Sequence, residues 1–70
     1  DGIDALYPKA RTIVVAAGRA STSLLQRMLK IGYSRAAQLV DKLEADGVIE
    51  PANGARPRKV HKRLDLPDLE

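Results

Sequence analysis

Cysteine is absent from this seventy-residue sequence, and so are phenylalanine and tryptophan; Tyr7 and Tyr33 are the only aromatics and His61 the only histidine. Without cysteine there is no disulfide staple, no thiolate zinc site and no thiol nucleophile, and the composition suits a reducing compartment. Two aromatics are too few to stack the successive bases of a single strand. No apolar run approaches the roughly 20 residues of a membrane span; the longest, TIVVAA, reads as the interior of a helix. The first residues show no signal-peptide pattern. Such a chain reads as one small domain or a fragment of something larger. It hides only about 60% of the surface that its unfolded form exposes, so its core must come from a few closely packed helices.

Charge is modest in sum, +3, but segregated along the chain. Over residues 1–18, Lys9 and Arg11 balance Asp1 and Asp4. The stretch GARPRKVHKR, residues 54–63, holds Arg56, Arg58, Lys59, Lys62 and Arg63 with no acid, and the closing LDLPDLE is purely acidic. A basic block in so short a domain fits a polyanion-facing patch, although a solvated basic surface has the same composition.

Periodicity predicts three helices and a hairpin. IDALYPKARTIVVAAG reads as the first helix, with Asp4 as cap, Pro8 in the first turn and Gly18 as stop; Leu6, Ile13, Val14 and Ala17 share a side. RAST fits a single minor strand. In STSLLQRMLKIG, Ser23 and Gln26 have capping-box spacing, Leu24, Leu25, Met28 and Leu29 make the buried stripe, and Gly32 ends the helix. A tight turn, KIGY, leads to a third helix over 34–46 with Ser34 as its cap. There Ala36, Leu39, Val40 and Leu43 recur at three- and four-residue spacing. Arg35, Gln38 and Lys42 occupy another side, and Gly47 closes the helix. VIE, PANGARP and RKVH then read as a hairpin with Asn53-Gly54 in its turn, Pro51 and Pro57 around the loop, and Val48 and Val60 facing inward. The order predicts a mainly α fold with a small β-hairpin, a winged helix-turn-helix over residues 4–61, and a flexible C-terminal tail over 62–70.

Catalysis has little support. His61 stands among lysines, and Asp41, Glu44 and Asp46 look like a solvated helix surface rather than a converging metal site. No GxxxxGK[ST] phosphate loop is present. The expectation is therefore a domain that is not an enzyme, with no catalytic residue, cofactor or metal. Double-stranded DNA binding has more behind it. Ser34, Arg35 and Gln38 open the third helix, where a helix-turn-helix protein meets base edges. Arginine can pair with the O6 and N7 of guanine, and glutamine with the N6 and N7 of adenine. Arg27 and Lys30 on the second helix, with Tyr33 and Lys42, are candidates for the phosphate backbone. Arg56, Arg58 and Lys59 put positive charge on the wing, residues 51–58. Because Arg58 shares strand parity with Val60, its use on DNA requires it to lie beyond the last paired residue. The alternatives are a protein-interaction winged helix, which would expose apolar residues on the wing, or a general winged-helix transcription regulator domain.

The stretch KIGYSRAAQLVDKLEADGVIEPANGARPRKV resembles the gamma domain of the FtsK/SpoIIIE family of DNA translocases. The resemblance rests on Gln26, Arg27, Leu29, Ile31, Gly32, Tyr33, Arg35, Ala36 and Ala37, then Gly47, Val48, Ile49, Gly54, Pro57, Arg58 and Val60. It covers roughly residues 5–61, and IGYxRAA joined to PRxV is its specific part. It implies a winged helix at the C-terminus of a hexameric motor of chromosome segregation and cell division. That motor would be cytoplasmic and tethered to the membrane through the parent protein, with no membrane contact by this domain. The resemblance further implies that the domain reads short, G-rich, strand-biased sequences that orient translocation, and that in some members it contacts a tyrosine recombinase. Two positions depart from the family pattern: Gln38 stands where Arg is usual, and Lys59 where Glu is usual.

Overall fold

A computed structural model of the chain describes residues 2–51 and 58–61. Within them the elements run α1 (Gly2–Ala17), β1 (Arg19–Ala20), α2 (Thr22–Leu29), α3 (Tyr33–Ala45) and β2 (Arg58–Lys59). The architecture is a winged helix-turn-helix: three helices closed by a small antiparallel sheet. The expected 51–58 loop with its Asn53-Gly54 turn, Arg56 and Pro57, and the expected tail at 62–70, lie outside the described residues, apart from Pro51 and Arg58.

The first helix begins earlier than its sequence suggests. Asp4 is in the first turn rather than at the cap, and Pro8 falls inside the helix. Proline there removes one N–H and crowds the carbonyl four residues back; the turn lies near the exposed start of the helix, where water can serve that carbonyl. Ala10 and Val14 are fully buried, with Ile3, Leu6, Tyr7 and Ile13 packed around them. Ala17, expected on the same side, is exposed. Gly18 stops the helix in the left-handed region (φ 76°), donating its N–H to the Val14 carbonyl at 2.8 Å.

Helix α2 is capped by Ser21, not Ser23. Ser21 is extended, as the residue after a strand must be, and its Oγ accepts the Leu24 N–H at 3.0 Å. The STS run offers more than one hydroxyl, and the strand before it selects the first. The stop is also displaced. Lys30, not Gly32, takes the left-handed conformation (φ 56°) and donates its N–H to Gln26. Gly32 instead begins α3 as its N-cap, with extended backbone. Lys30, Ile31 and Gly32 thus form the whole helix-turn-helix link. Met28, assigned to the buried stripe, is 55% exposed, while Leu24 and Leu25 are buried.

Helix α3 buries Ala36, Leu39, Val40 and Leu43, as its spacing predicts. Past Ala45 the chain closes in a Schellman turn: Gly47 (φ 77°) donates to Glu44 at 3.0 Å and Val48 to Leu43 at 2.9 Å. The core that results is aliphatic. Val14, Leu25, Leu39, Leu43, Ile49 and Val60 are its largest fully buried side chains, and no polar side chain is buried among the described residues.

The sheet pairs β1 with β2 antiparallel, Arg19 opposite Lys59 and Ala20 opposite Arg58. On the other edge Ile49 bridges Val60. Glu50 donates its N–H to the Lys59 carbonyl at 2.9 Å, and His61 to that of Val48 at 2.8 Å. The segment 58–61 is therefore central, held on both sides, and Val48 and Val60 are buried as expected.

Candidate nucleic-acid interface

The first turn of α3 is the most open part of the helix. Its N-cap is a glycine with no side-chain hydrogen bond, and the first amide bonded back along the chain is that of Ala36, to Gly32 at 3.1 Å. The N–H groups of Tyr33, Ser34 and Arg35 precede it and have no partner within the helix. The sequence predicts Ser34 as their cap; with the cap two residues earlier, at Gly32, Ser34 sits inside the first turn instead. Tyr33 is 67% exposed, and Ser34, Arg35 and Gln38 are exposed beside it. Ala36 is fully buried and Ala37 half-buried between the two sides. The first two turns of α3 therefore combine unpaired donors, the positive end of a helix dipole, a guanidinium and a carboxamide on one surface. Arg27 of α2 and Lys30 of the link are exposed as well.

Two other nominated cations are differently engaged. Lys42 points its amine at α1, with Nζ 3.2 Å from Asp4 Oδ1 and 5.2 Å above the Tyr7 ring. The contact is exposed, with 86% of the Asp4 side chain open to solvent, so it links α3 to α1 only weakly. The Tyr7 hydroxyl donates to Asp46 on the same side. Burial, and then the Asp46 carboxylate, push the Tyr7 phenol from 10.0 up to about 12. Arg58 does not lie beyond the ladder: it is paired with Ala20, and its Nη1 donates to Glu44 Oε1. Its side chain is 19% exposed. Strand parity aims it at α3, so the condition for its use on DNA is not met. Lys59, one residue on, is exposed. Arg56 lies outside the described residues.

The sequence matches the Ftsk gamma domain family over residues 1–63. The chain belongs to that family. The DNA translocase FtsK of Treponema pallidum is 55% identical over 60 residues, covering 86% of this chain and 8% of that protein. The corresponding protein of Chlamydia trachomatis is 44% identical over 68 residues, covering 97% of the chain and 8% of the relative. That of Staphylococcus aureus is 54% identical over 57 residues, covering 81% and 7%. The chain thus spans less than a tenth of the length of these relatives.

In this gamma domain, sequence reasoning passed over two residues. Glu44 was read as ordinary helix surface, yet it holds the wing strand through Arg58. The periodicity of α3 alone cannot show this, because the partner lies 14 residues away across an unpredicted register. Arg19 was read only as part of a minor strand, yet the ladder sets it directly opposite Lys59, both exposed. Like charges in register repel, and the register exists only in the folded sheet. Among the described residues no helix is long and apolar enough to cross a membrane.

Proposed function

We propose that this domain binds double-stranded DNA, with the first turn of α3 in the major groove and the wing on the adjacent backbone. Within it Arg35 reads a guanine, and Ser34 and Gln38 contact the neighbouring positions. Arg27, Lys30 and Tyr33 hold phosphates, and Arg56 and Lys59 supply charge from the wing. The observation that carries the reading is the uncapped, exposed start of α3, where unpaired N–H groups, Arg35 and Gln38 share one surface. Family membership supports a further step: the site read is short, polar and G-rich, and it orients a hexameric, membrane-tethered translocase. Gln38, which departs from the family's usual arginine, favours adenine at one position of that site.

Selection from random duplexes followed by sequencing tests the proposal. An asymmetric, guanine-rich site should emerge. Recovery of the input distribution would refute sequence reading.

A second reading has one observation in its favour. Met28 stands exposed over an open groove between α1 and α2, lined by Leu6, Pro8, Ile13 and Leu29 with Lys9 and Thr12 beside them. Apolar surface of that kind suits a protein partner, and the family resemblance nominates a tyrosine recombinase. Met28→Gln, which leaves the charge unaltered, should then weaken recombinase capture and leave DNA affinity unchanged; capture by the variant at the unmodified strength would remove this surface from consideration.

A further inference from the structure

We infer that Glu44 and Arg58 form a positioning pair that fixes the wing strand against the recognition helix, so that the wing's other cations meet DNA in register with α3. The inference rests on the DNA-binding reading above and assigns Arg58 a place inside the protein rather than on the nucleic acid.

Three features of the fold converge on this pair. Arg58 is in the central segment of the sheet, opposite Ala20, which is fully buried. Residues two apart in a strand share a face, so Arg58 and the buried Val60 both point toward the helices. Glu44 lies in the last turn of α3, on the helix whose first two turns carry Arg35 and Gln38. The carboxylate accepts from the guanidinium across that gap, and Arg58 is largely covered while doing so. Apart from this pair, the contacts that seat the strand on the helices are, among the described residues, aliphatic, and aliphatic contacts set no direction. An ion pair with a hydrogen bond does. Buried Val60 and the ladder on both sides fix the parity of the strand, which turns Lys59 outward; the pair adds a directional tie from that strand to α3. Lys59, the next residue, is the exposed cation whose position this strand sets.

Glu44 touches no DNA in this account, which gives its neutralisation a diagnostic sign. Glu44→Gln removes a negative charge from a protein that binds a polyanion. Simple electrostatics then calls for tighter binding, and a freed Arg58 contacting phosphate would add about one to the slope of log affinity against log salt. A positioning pair calls for the opposite.

The experiment compares the unmodified chain, Glu44→Gln, and the exchanged pair Glu44→Arg/Arg58→Glu. Two readouts are used: amide exchange at Glu50 and His61, and duplex affinity across a salt series. The expected result is faster exchange at both amides in Glu44→Gln, with a salt slope lower by about one for each wing cation displaced. The exchanged pair should regain both values. Unchanged exchange in Glu44→Gln would overturn the inference, as would faster exchange with an unchanged slope, tighter binding with a steeper slope, or an exchanged pair no better than the single variant. If the unmodified chain binds no duplex, the DNA reading fails by itself, and the exchange rates still judge whether the pair holds the strand.

Discussion

Replacing Ala36 by leucine puts three additional carbons where the structure has no room. Ala36 is fully buried on the face of α3 that carries Leu39, Val40 and Leu43, one turn above the helix-turn-helix link. The neighbouring backbone is fixed by that three-residue link and by the Schellman turn at the far end of the helix, so the helix cannot slide to make space. Overpacking of this kind destabilises by about 1–3 kcal/mol. In a domain of this size each kcal/mol moves the melting temperature by roughly 4–8 °C, so a thermal melt should show a clear drop. Ala37, the next residue, is half-buried and borders the surface that carries Arg35 and Gln38. Ala37→Leu should stay within about 0.5 kcal/mol of the parent stability and weaken DNA binding, because the enlarged side chain holds the helix away from the groove. Melts and binding curves of the two variants separate these effects. A stable Ala36→Leu beside an unfolded Ala37→Leu would overturn the register of α3 and, with it, the placement of Arg35 and Gln38.

Other outcomes follow from single features. Lys30 occupies the left-handed region at the end of α2, so Lys30→Gly should stabilise the fold by about 1 kcal/mol in a denaturant titration, and should lower DNA affinity only by the loss of one phosphate contact. Lys59→Glu turns the Arg19–Lys59 repulsion into an attraction worth about 0.2–1 kcal/mol; its melting temperature should rise while its affinity for duplex falls. The Tyr7 phenol, raised to about 12, keeps its proton more tightly in the folded state than in the unfolded chain. Its contribution to stability is therefore complete below the unfolded value of 10.0 and is lost as pH climbs from there through about 12. A spectrophotometric titration in a Tyr33→Phe background should find Tyr7 ionising near 12, and Tyr7→Phe should abolish that alkaline component of unfolding.

The helices were legible because their burial is written in period: Leu39, Val40 and Leu43 share a face of α3 on spacing alone, and the structure buries all three. Gly18 and Gly47 were legible as stops because a left-handed residue after a helix favours glycine. The errors cluster where several residues could serve the same purpose. Ser21 and Ser23 can each cap α2, and the extended strand before Ser21 decides. Lys30 and Gly32 can each end it; the three-residue link puts the left-handed conformation on Lys30 and leaves Gly32 extended as the next cap. Pairings across the fold were not legible. Glu44 with Arg58, Lys42 with Asp4, and Arg19 opposite Lys59 depend on register and on helix crossing, neither of which a local pattern encodes. The candidate surface at the start of α3 was readable in YSRAAQ, whereas the division of the wing's cations between inward and outward was not.

Whether Arg35 reads a base is the claim on which the functional account turns. Affinities of the parent chain and Arg35→Ala should be measured side by side, at one salt concentration, on the selected duplex and on a scrambled duplex of equal length. The account predicts a loss of about 1–3 kcal/mol on the selected duplex with most of the binding to the scrambled one retained. Equal losses on both would make Arg35 a phosphate clamp and contradict base reading by the first turn of α3.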